Sequence, residues 1–248
     1  MTRRGSLHLA GLDDVGIVRT RHLRMTEKVL ESAVTHGEII LVYGDPGLGK
    51  TLSVAHLVEA HEVPHLWVQV APKPSPKEVV VQLLKGIEGK FPSRGETLYE
   101  MSDRLIELLD DQPRIVVLDE AQNFTKVGID QLRYIYDRSA AGFPLVLVGG
   151  ASTNRVIGAD PQLSDRVAGR VAFRPLADTE LIGVLRQYHP YLGDADPGLI
   201  FDLNGKWARG MFRRWSKILK EGRSLAGGAG VLDEKTARAV LAKIGDGA

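Results

Sequence analysis

The stretch EIILVYGDPGLGKT, residues 38–51, restricts the fold more than any other part of the chain. An apolar run of strand length enters a glycine-spaced loop directly, and a helix-forming segment follows. The loop satisfies G-x-x-x-x-G-K-[ST] from Gly44 to Thr51. Its strand-before, helix-after context is the one in which that spacing has mechanical meaning. Glycines let successive backbone N–H groups converge on an anion, and the positive end of the following helix adds to the field. The segment Gly44, Asp45, Pro46, Gly47, Leu48, Gly49, Lys50, Thr51 and Leu52 is therefore expected to cradle a nucleotide's phosphates. Lys50 is expected to reach the β- and γ-phosphates, and the Thr51 hydroxyl to take one position on Mg²⁺.

Apolar strand patterns alternate with helical ones through the first two thirds of the chain. Strands are expected at EIILVYG, HLWVQV, RIVVLDE, PLVLVGG and GRVAFRPL, and helices over 22–36, 50–61, 76–90, 97–110 and across GIDQLRYIYDRSAAG. Met25, Val29 and Ala33 are read as the inner face of the first helix, with Gly37 as its stop. Trp67 is read as core. Such alternation implies right-handed crossovers and a five-stranded parallel sheet between helical layers, an α/β fold with ligand at the strands' carboxyl ends. Beyond Pro175 strand signals cease, and helices are expected over 178–189, 207–221 and 233–244, with GRSLAGGAGV as a flexible connection. The expected divisions are an N-terminal arm (1–21), a nucleotide-binding domain (22–176) and a helical lid with tail (177–248).

A second feature supports the first. RIVVLDE ends an apolar strand on two carboxylates: Asp119 suits a water-mediated hold on Mg²⁺, and Glu120 suits activation of an attacking water. A glutamate directly after the aspartate favours hydrolysis of ATP over transfer to a small molecule.

Composition narrows the alternatives. The 32 basic and 31 acidic residues nearly cancel, so any polyanion surface must come from local clustering. The absence of cysteine removes thiolate nucleophiles, disulfides and cysteine-ligated zinc. No apolar run reaches the length of a membrane span or signal-peptide core, and a cytoplasmic location is expected.

The stretch VVLDEAQNFTKVGIDQLRYIYDRSAAGFPLVLVGG resembles the AAA+ ATPases of transposition, typified by the Mu phage B protein (MuB) and its relatives TnsC and TniB. It matches their DEAQ, a helix with an LR-x-I-x-D pattern, and a V-L-V-G strand; the similarity extends in order over residues 25–225. This resemblance implies an ATP-dependent protein that assembles into filaments or rings on duplex DNA, recruits or stimulates a DDE transposase, and so takes part in target-site selection. It also implies roles for particular residues. Gly150 stands where the relatives place a polar sensor of the γ-phosphate, so Ser152, Thr153 or Asn154 must substitute, or turnover is slow. LSDRVAGRVAFRPL resembles the segment that presents an arginine to the neighbouring subunit's nucleotide, with Arg166 preferred over Arg170. RGMFRRWSKIL resembles the start of the sensor-2 helix, with Arg213 facing phosphate and Arg214 pointing elsewhere. Lys73, Lys77, Lys126 and Arg133 are the candidates for contacts to the DNA backbone.

Two other readings remain open. An ExeA-like or signalling ATPase acting as a nucleotide switch on a protein partner shares the glycine loop and the acidic pair. A small-molecule kinase is disfavoured by Glu120 and the helical lid.

Overall fold

In the computed structural model, residues 15–227 and 230–245 are described. They form two compact units: one of His22–Pro46 and Lys50–Phe173, the other of the remaining described residues, Gly47–Gly49 among them.

The first unit is built around strands apolar on both faces, the pattern of a parallel sheet covered above and below. The elements in order are α1 (Arg21–His36), β1 (Ile39–Gly44), α2 (Lys50–Ala60), β2 (His65–Gln69), α3 (Pro76–Glu88), α4 (Leu98–Asp111), β3 (Ile115–Asp119), α5 (Lys126–Arg138), β4 (Leu145–Gly149), α6 (Thr153–Gly158), α7 (Pro161–Ser164) and β5 (Val167–Phe173). The strand order is β2-β3-β4-β1-β5 with every pairing parallel. β3 and β4 are buried along their whole length, whereas the edge strands β2 and β5 alternate with exposed positions. Trp67 lies on edge strand β2 and is only half-buried, not the core residue that its strand pattern suggested. β4 runs between β1 and β3, so one strand separates the strand that ends in the acidic pair from the strand that enters the glycine loop.

Local signals account for most helix ends. Ser75 with Glu78, and Thr97 with Glu100, form reciprocal capping boxes at the starts of α3 and α4. In α1 the buried stripe is Leu23, Thr26, Leu30 and Ala33, while Met25 is 40% exposed. The expected Met25–Val29–Ala33 face advances four residues each time and drifts around the helix; steps of three and four together hold one face. The short helices α6 and α7, between β4 and β5, have too few residues to show periodicity and were not expected.

The second unit has its own core. Its helices are α8 (Asp178–Tyr188), α9 (Pro190–Gly193), α10 (Pro197–Leu203), α11 (Phe212–Leu225) and α12 (Glu234–Gly245). Leu181, Leu185, Tyr191, Trp215, Ile218 and Leu219 are buried at its centre. Val18 joins them, so the later part of the expected N-terminal arm is partly buried. Residues 1–14 of that arm lie outside the described residues, as do 228–229 of the expected flexible connection, whose first residues continue α11.

The helix expected from residue 207 begins instead at Phe212. A π-helical turn, Asn204–Ala208, is followed by Arg209 and Gly210, both at positive φ (48° and 69°). Asn204 holds this reversal from both ends of its amide: Oδ1 accepts from the Gly210 N–H at 2.7 Å and Nδ2 donates to Asp178 at 2.9 Å. Apolar spacing carries no trace of such a polar clamp. No helix among the described residues is long and apolar enough to cross a membrane.

Candidate nucleotide site

The glycine loop leaves β1 and enters α2 through Gly47 and Gly49, both at positive φ (85° and 92°). Those conformations are open to glycine at little cost and turn successive N–H groups the same way. The first turn of α2 carries no acidic residue of its own, which suits its positive end to an anion. Lys50 is buried apart from 8% of its surface, and its Nζ donates to the Asp45 carbonyl at 2.8 Å. Its ammonium is thereby held over the loop.

Thr51 and Asp119, 68 positions apart in sequence, meet: Thr51 Oγ1 donates to Asp119 Oδ2 at 3.4 Å. Asp119 is buried at the end of β3, and this burial raises its carboxyl above the usual aspartate range. The Glu120 N–H (2.9 Å), the Thr51 hydroxyl and the charge of Lys50 act in the opposite direction, while the neighbouring Glu120 carboxylate adds to the rise. A buried carboxylate beside a hydroxyl is an incomplete set of hard oxygen donors. Among the described residues no group of three or more histidine, aspartate, glutamate or cysteine side chains forms a metal cage. The donor set thus fits Mg²⁺, which keeps waters and phosphate oxygens as most of its ligands.

Glu120 adopts a left-handed backbone conformation, φ 61° and ψ 36°. For a residue with a Cβ this costs about 1–2 kcal/mol, and such strain collects at functional sites. Its carboxylate accepts a hydrogen bond from the Gln122 amide, Nε2 to Oε2. Gln122 Oε1 in turn accepts from the Gly150 N–H at 2.8 Å and from Thr153 Oγ1 at 3.4 Å. Of the residues expected to stand in for a polar side chain at Gly150, Thr153 is fully buried and reaches Gln122, whereas Asn154 Oδ1 is engaged by Arg170 at 2.8 Å. Ser152 precedes α6 without capping it through its side chain. Gln122 itself was visible in the DEAQ stretch, but its link to Gly150, 28 residues away, was not.

The candidate arginines separate clearly. Arg166 makes a two-pronged pair with Asp137, at 2.6 and 2.9 Å, and also donates to the Gln162 carbonyl. Arg166, the arginine preferred for a neighbouring subunit, is thus already paired within the chain. Arg170, exposed on β5, donates to Asn154 Oδ1 (2.8 Å), Ser164 Oγ (2.8 Å) and the Ser164 carbonyl (3.1 Å), all neutral acceptors. In the second unit, Arg213 is exposed one residue into α11, and its backbone N–H donates to the Gly47 carbonyl at 3.1 Å. Arg214 turns away, with its guanidinium 5.6 Å from the centre of the Trp207 ring.

The candidate DNA contacts also divide. Arg133 lies within 3.5 Å of both Asp130 and Asp160 and donates to Gln162, so it is removed as a free cation. Lys77 is exposed, with Nζ on the Glu96 carbonyl at 3.0 Å. Lys126 is exposed as the first residue of α5, at the helix end where a cation is least favoured. Lys73 is exposed at φ 51°, in a loop bonded to the segment that carries Glu120. Lys73 N–H donates to the Asn123 carbonyl (3.2 Å) and Asn123 Nδ2 to the Val70 carbonyl (2.9 Å).

A glycine loop feeding a helix, a buried aspartate meeting its threonine, and the strand order above together define a P-loop NTPase of AAA+ architecture. Residues 34–157, half of the chain, match the family described as AAA domain, and the chain belongs to that family. Among solved structures it is similar to the Aeropyrum pernix ORC1 protein in complex with DNA (TM-score 0.71, 21% identity, covering 98% of this chain and 69% of that one). It is also similar to Aeropyrum pernix ORC2 in ADPNP–ADP complexes (TM-score 0.68, 18% identity, 93% and 70% covered). A third likeness is to a single-substitution form of Thermotoga maritima RuvB (TM-score 0.60, 15% identity, 91% and 70% covered). At these identities the likeness concerns the fold. No curated protein sequence matches the chain.

Proposed function

We propose that this chain is a DNA-associated ATPase that assembles on duplex DNA in its ATP state and recruits or stimulates a DDE transposase. The observation that carries the nucleotide part is the meeting of Thr51 with buried Asp119, with Glu120 as the next residue. Lys50 and the loop N–H groups hold the phosphates, and Lys50 offsets charge on the terminal one. Thr51 and Asp119 would hold Mg²⁺, which would neutralise phosphate charge there. Glu120 orients a water and accepts its proton as the water oxygen bonds to the terminal phosphorus and ADP departs with the electron pair of the broken bond. Arg170, bound among the described residues to neutral acceptors, is the arginine offered to the next subunit's nucleotide, and Arg213 is the second candidate arginine for phosphate.

The DNA part rests on less. Lys73, Lys77 and Lys126 are exposed cations on or near the loop bonded to the Glu120 segment, so phosphate contact there has a direct path to the base. Aeropyrum pernix ORC1, similar in fold, was solved with DNA. The transposase as partner is supported by the DEAQ-to-VLVGG resemblance alone. Such contacts ignore base sequence and weaken steeply with salt.

One observation favours the second reading, a switch acting on a protein partner: Arg133, one of the four candidate DNA cations, is already neutralised by Asp130 and Asp160. A single experiment separates them. ATP turnover and electron microscopy are run with ATP, ADP or no nucleotide, each with and without duplex DNA at two salt concentrations. DNA-stimulated turnover and ATP-dependent filaments or rings on DNA support the first reading. Turnover and assembly indifferent to DNA move the conclusion to a protein partner.

A further inference from the structure

We infer that Gln122 is the positioning residue for the catalytic base, doing from the end of β3 what Gly150 has no side chain to do from the end of β4. This inference rests on the hydrolysis reading above.

The polarity of the amide is set by its surroundings. The Gly150 backbone N–H is a donor with one fixed direction, so the group facing it at 2.8 Å must be the oxygen Oε1. The NH₂ end is then turned toward Glu120, whose carboxylate accepts from it. Thr153 Oγ1, fully buried, donates to the same Oε1 at 3.4 Å and braces it from α6. One side chain therefore spans from the strained Glu120 to the tip of the neighbouring strand, with both of its ends used.

A separate observation shows that space is kept for this arrangement. A Cβ placed on Gly149 would lie 2.4 Å from Gln122 Oε1, 2.2 Å from Thr153 Oγ1 and 3.2 Å from the Ala121 nitrogen. The atoms nearest a Cβ on Gly150 would be those of Gln122, none closer than 3.6 Å. The two glycines therefore have different duties. Gly149 leaves room for the amide and Gly150 presents the N–H that orients it. In this chain the glycine at the sensor position is compensated by the amide, and the phosphate-side information of β4 reaches the base through Gln122. Misplacing a base by about an ångström is enough to cost about a hundredfold in rate.

The test is steady-state ATP hydrolysis and binding of a non-hydrolysable ATP analogue by the full chain, with circular dichroism and melting temperature as folding controls. Gln122→Glu is nearly isosteric and can still accept from Gly150, but loses the donor to Glu120; Gln122→Ala loses both ends. Gly149→Ala perturbs the same link from the opposite side. All three are expected to lower kcat at least tenfold with analogue affinity within twofold of the parent chain. Wild-type kcat in Gln122→Glu or Gln122→Ala overturns the inference while leaving the ATPase reading intact. Losses confined to KM overturn it equally, because they assign Gln122 to nucleotide binding. A parent chain that binds the analogue but turns over no ATP, with or without DNA, overturns the hydrolysis reading and the inference together.

Discussion

Replacing Glu120 by glutamine separates catalysis from folding. The change keeps side-chain length and the left-handed backbone, φ 61°, so the strain there is the same in both chains. The new amide oxygen can still accept from Gln122, but that hydrogen bond is no longer charge-assisted. The difference between charged and neutral hydrogen bonds is about 1 kcal/mol, which in a chain of this size lowers the melting temperature by about 2–4 °C at most. The kinetic loss is larger. A positioned general base is worth roughly 10²–10⁴ in rate, or about 2.7–5.4 kcal/mol at 1.36 kcal/mol per factor of ten. Single-turnover hydrolysis with radiolabelled ATP, beside equilibrium binding and thermal melting, measures both sides. The expected result is turnover reduced at least a hundredfold, nucleotide affinity unchanged, and an ATP-bound assembly that persists. Hydrolysis within threefold of the parent chain would refute the assignment of Glu120 as the base.

Lys50→Ala removes the ammonium held over the glycine loop and is expected to weaken ATP binding at least tenfold by calorimetry, leaving the fold intact. Arg170→Ala is expected to abolish assembly-dependent turnover while single-subunit nucleotide binding is retained; Arg166→Ala, which breaks a half-exposed pair with Asp137 and a hydrogen bond to the Gln162 carbonyl, is expected to change turnover less than threefold. Asp119 gives a pH signature in the nucleotide- and Mg²⁺-free protein. Burial raises its carboxyl in the folded chain, so the folded state binds that proton more tightly than the unfolded one. Its contribution to stability is fully present below the ordinary aspartate range and is lost as pH rises through the elevated native value. Chemical denaturation across mildly acidic pH is expected to show this fall, and Asp119→Asn to flatten it; parallel profiles for the two chains would contradict the burial argument.

Much of the α/β unit could be read in advance because the relevant interactions are local. The strand cores at 39–44, 115–119 and 145–149 are continuous apolar runs, and the capping boxes at Ser75 and Thr97 announce their helices within four residues. The glycine loop was legible for the same reason: cradle, lysine and threonine are contiguous in sequence. Errors arose where a side chain's neighbour is distant. Met25 was placed inward because spacing alone does not distinguish two adjacent helical stripes. Arg133 and Arg166 read as available cations because nothing near them in sequence shows that Asp160 and Asp137 face them. The start of α11 was displaced by a clamp from Asn204, six residues before the glycine that it holds.

From the sequence alone came the expected chemistry: a phosphate-binding turn, an aspartate suited to a metal ion and a glutamate beside it suited to act as a base, each read from short-range backbone geometry and residue type. Tertiary structure decided how those parts are held and which charges remain free. It brought Thr51 to Asp119, closed Arg166 onto Asp137, and laid Gln122 between Glu120 and Gly150. The physical reason is that a hydrogen bond or ion pair depends on separations of about 3 Å in space, and only the packing of β3, β4 and their helices converts dozens of residues of chain into that distance.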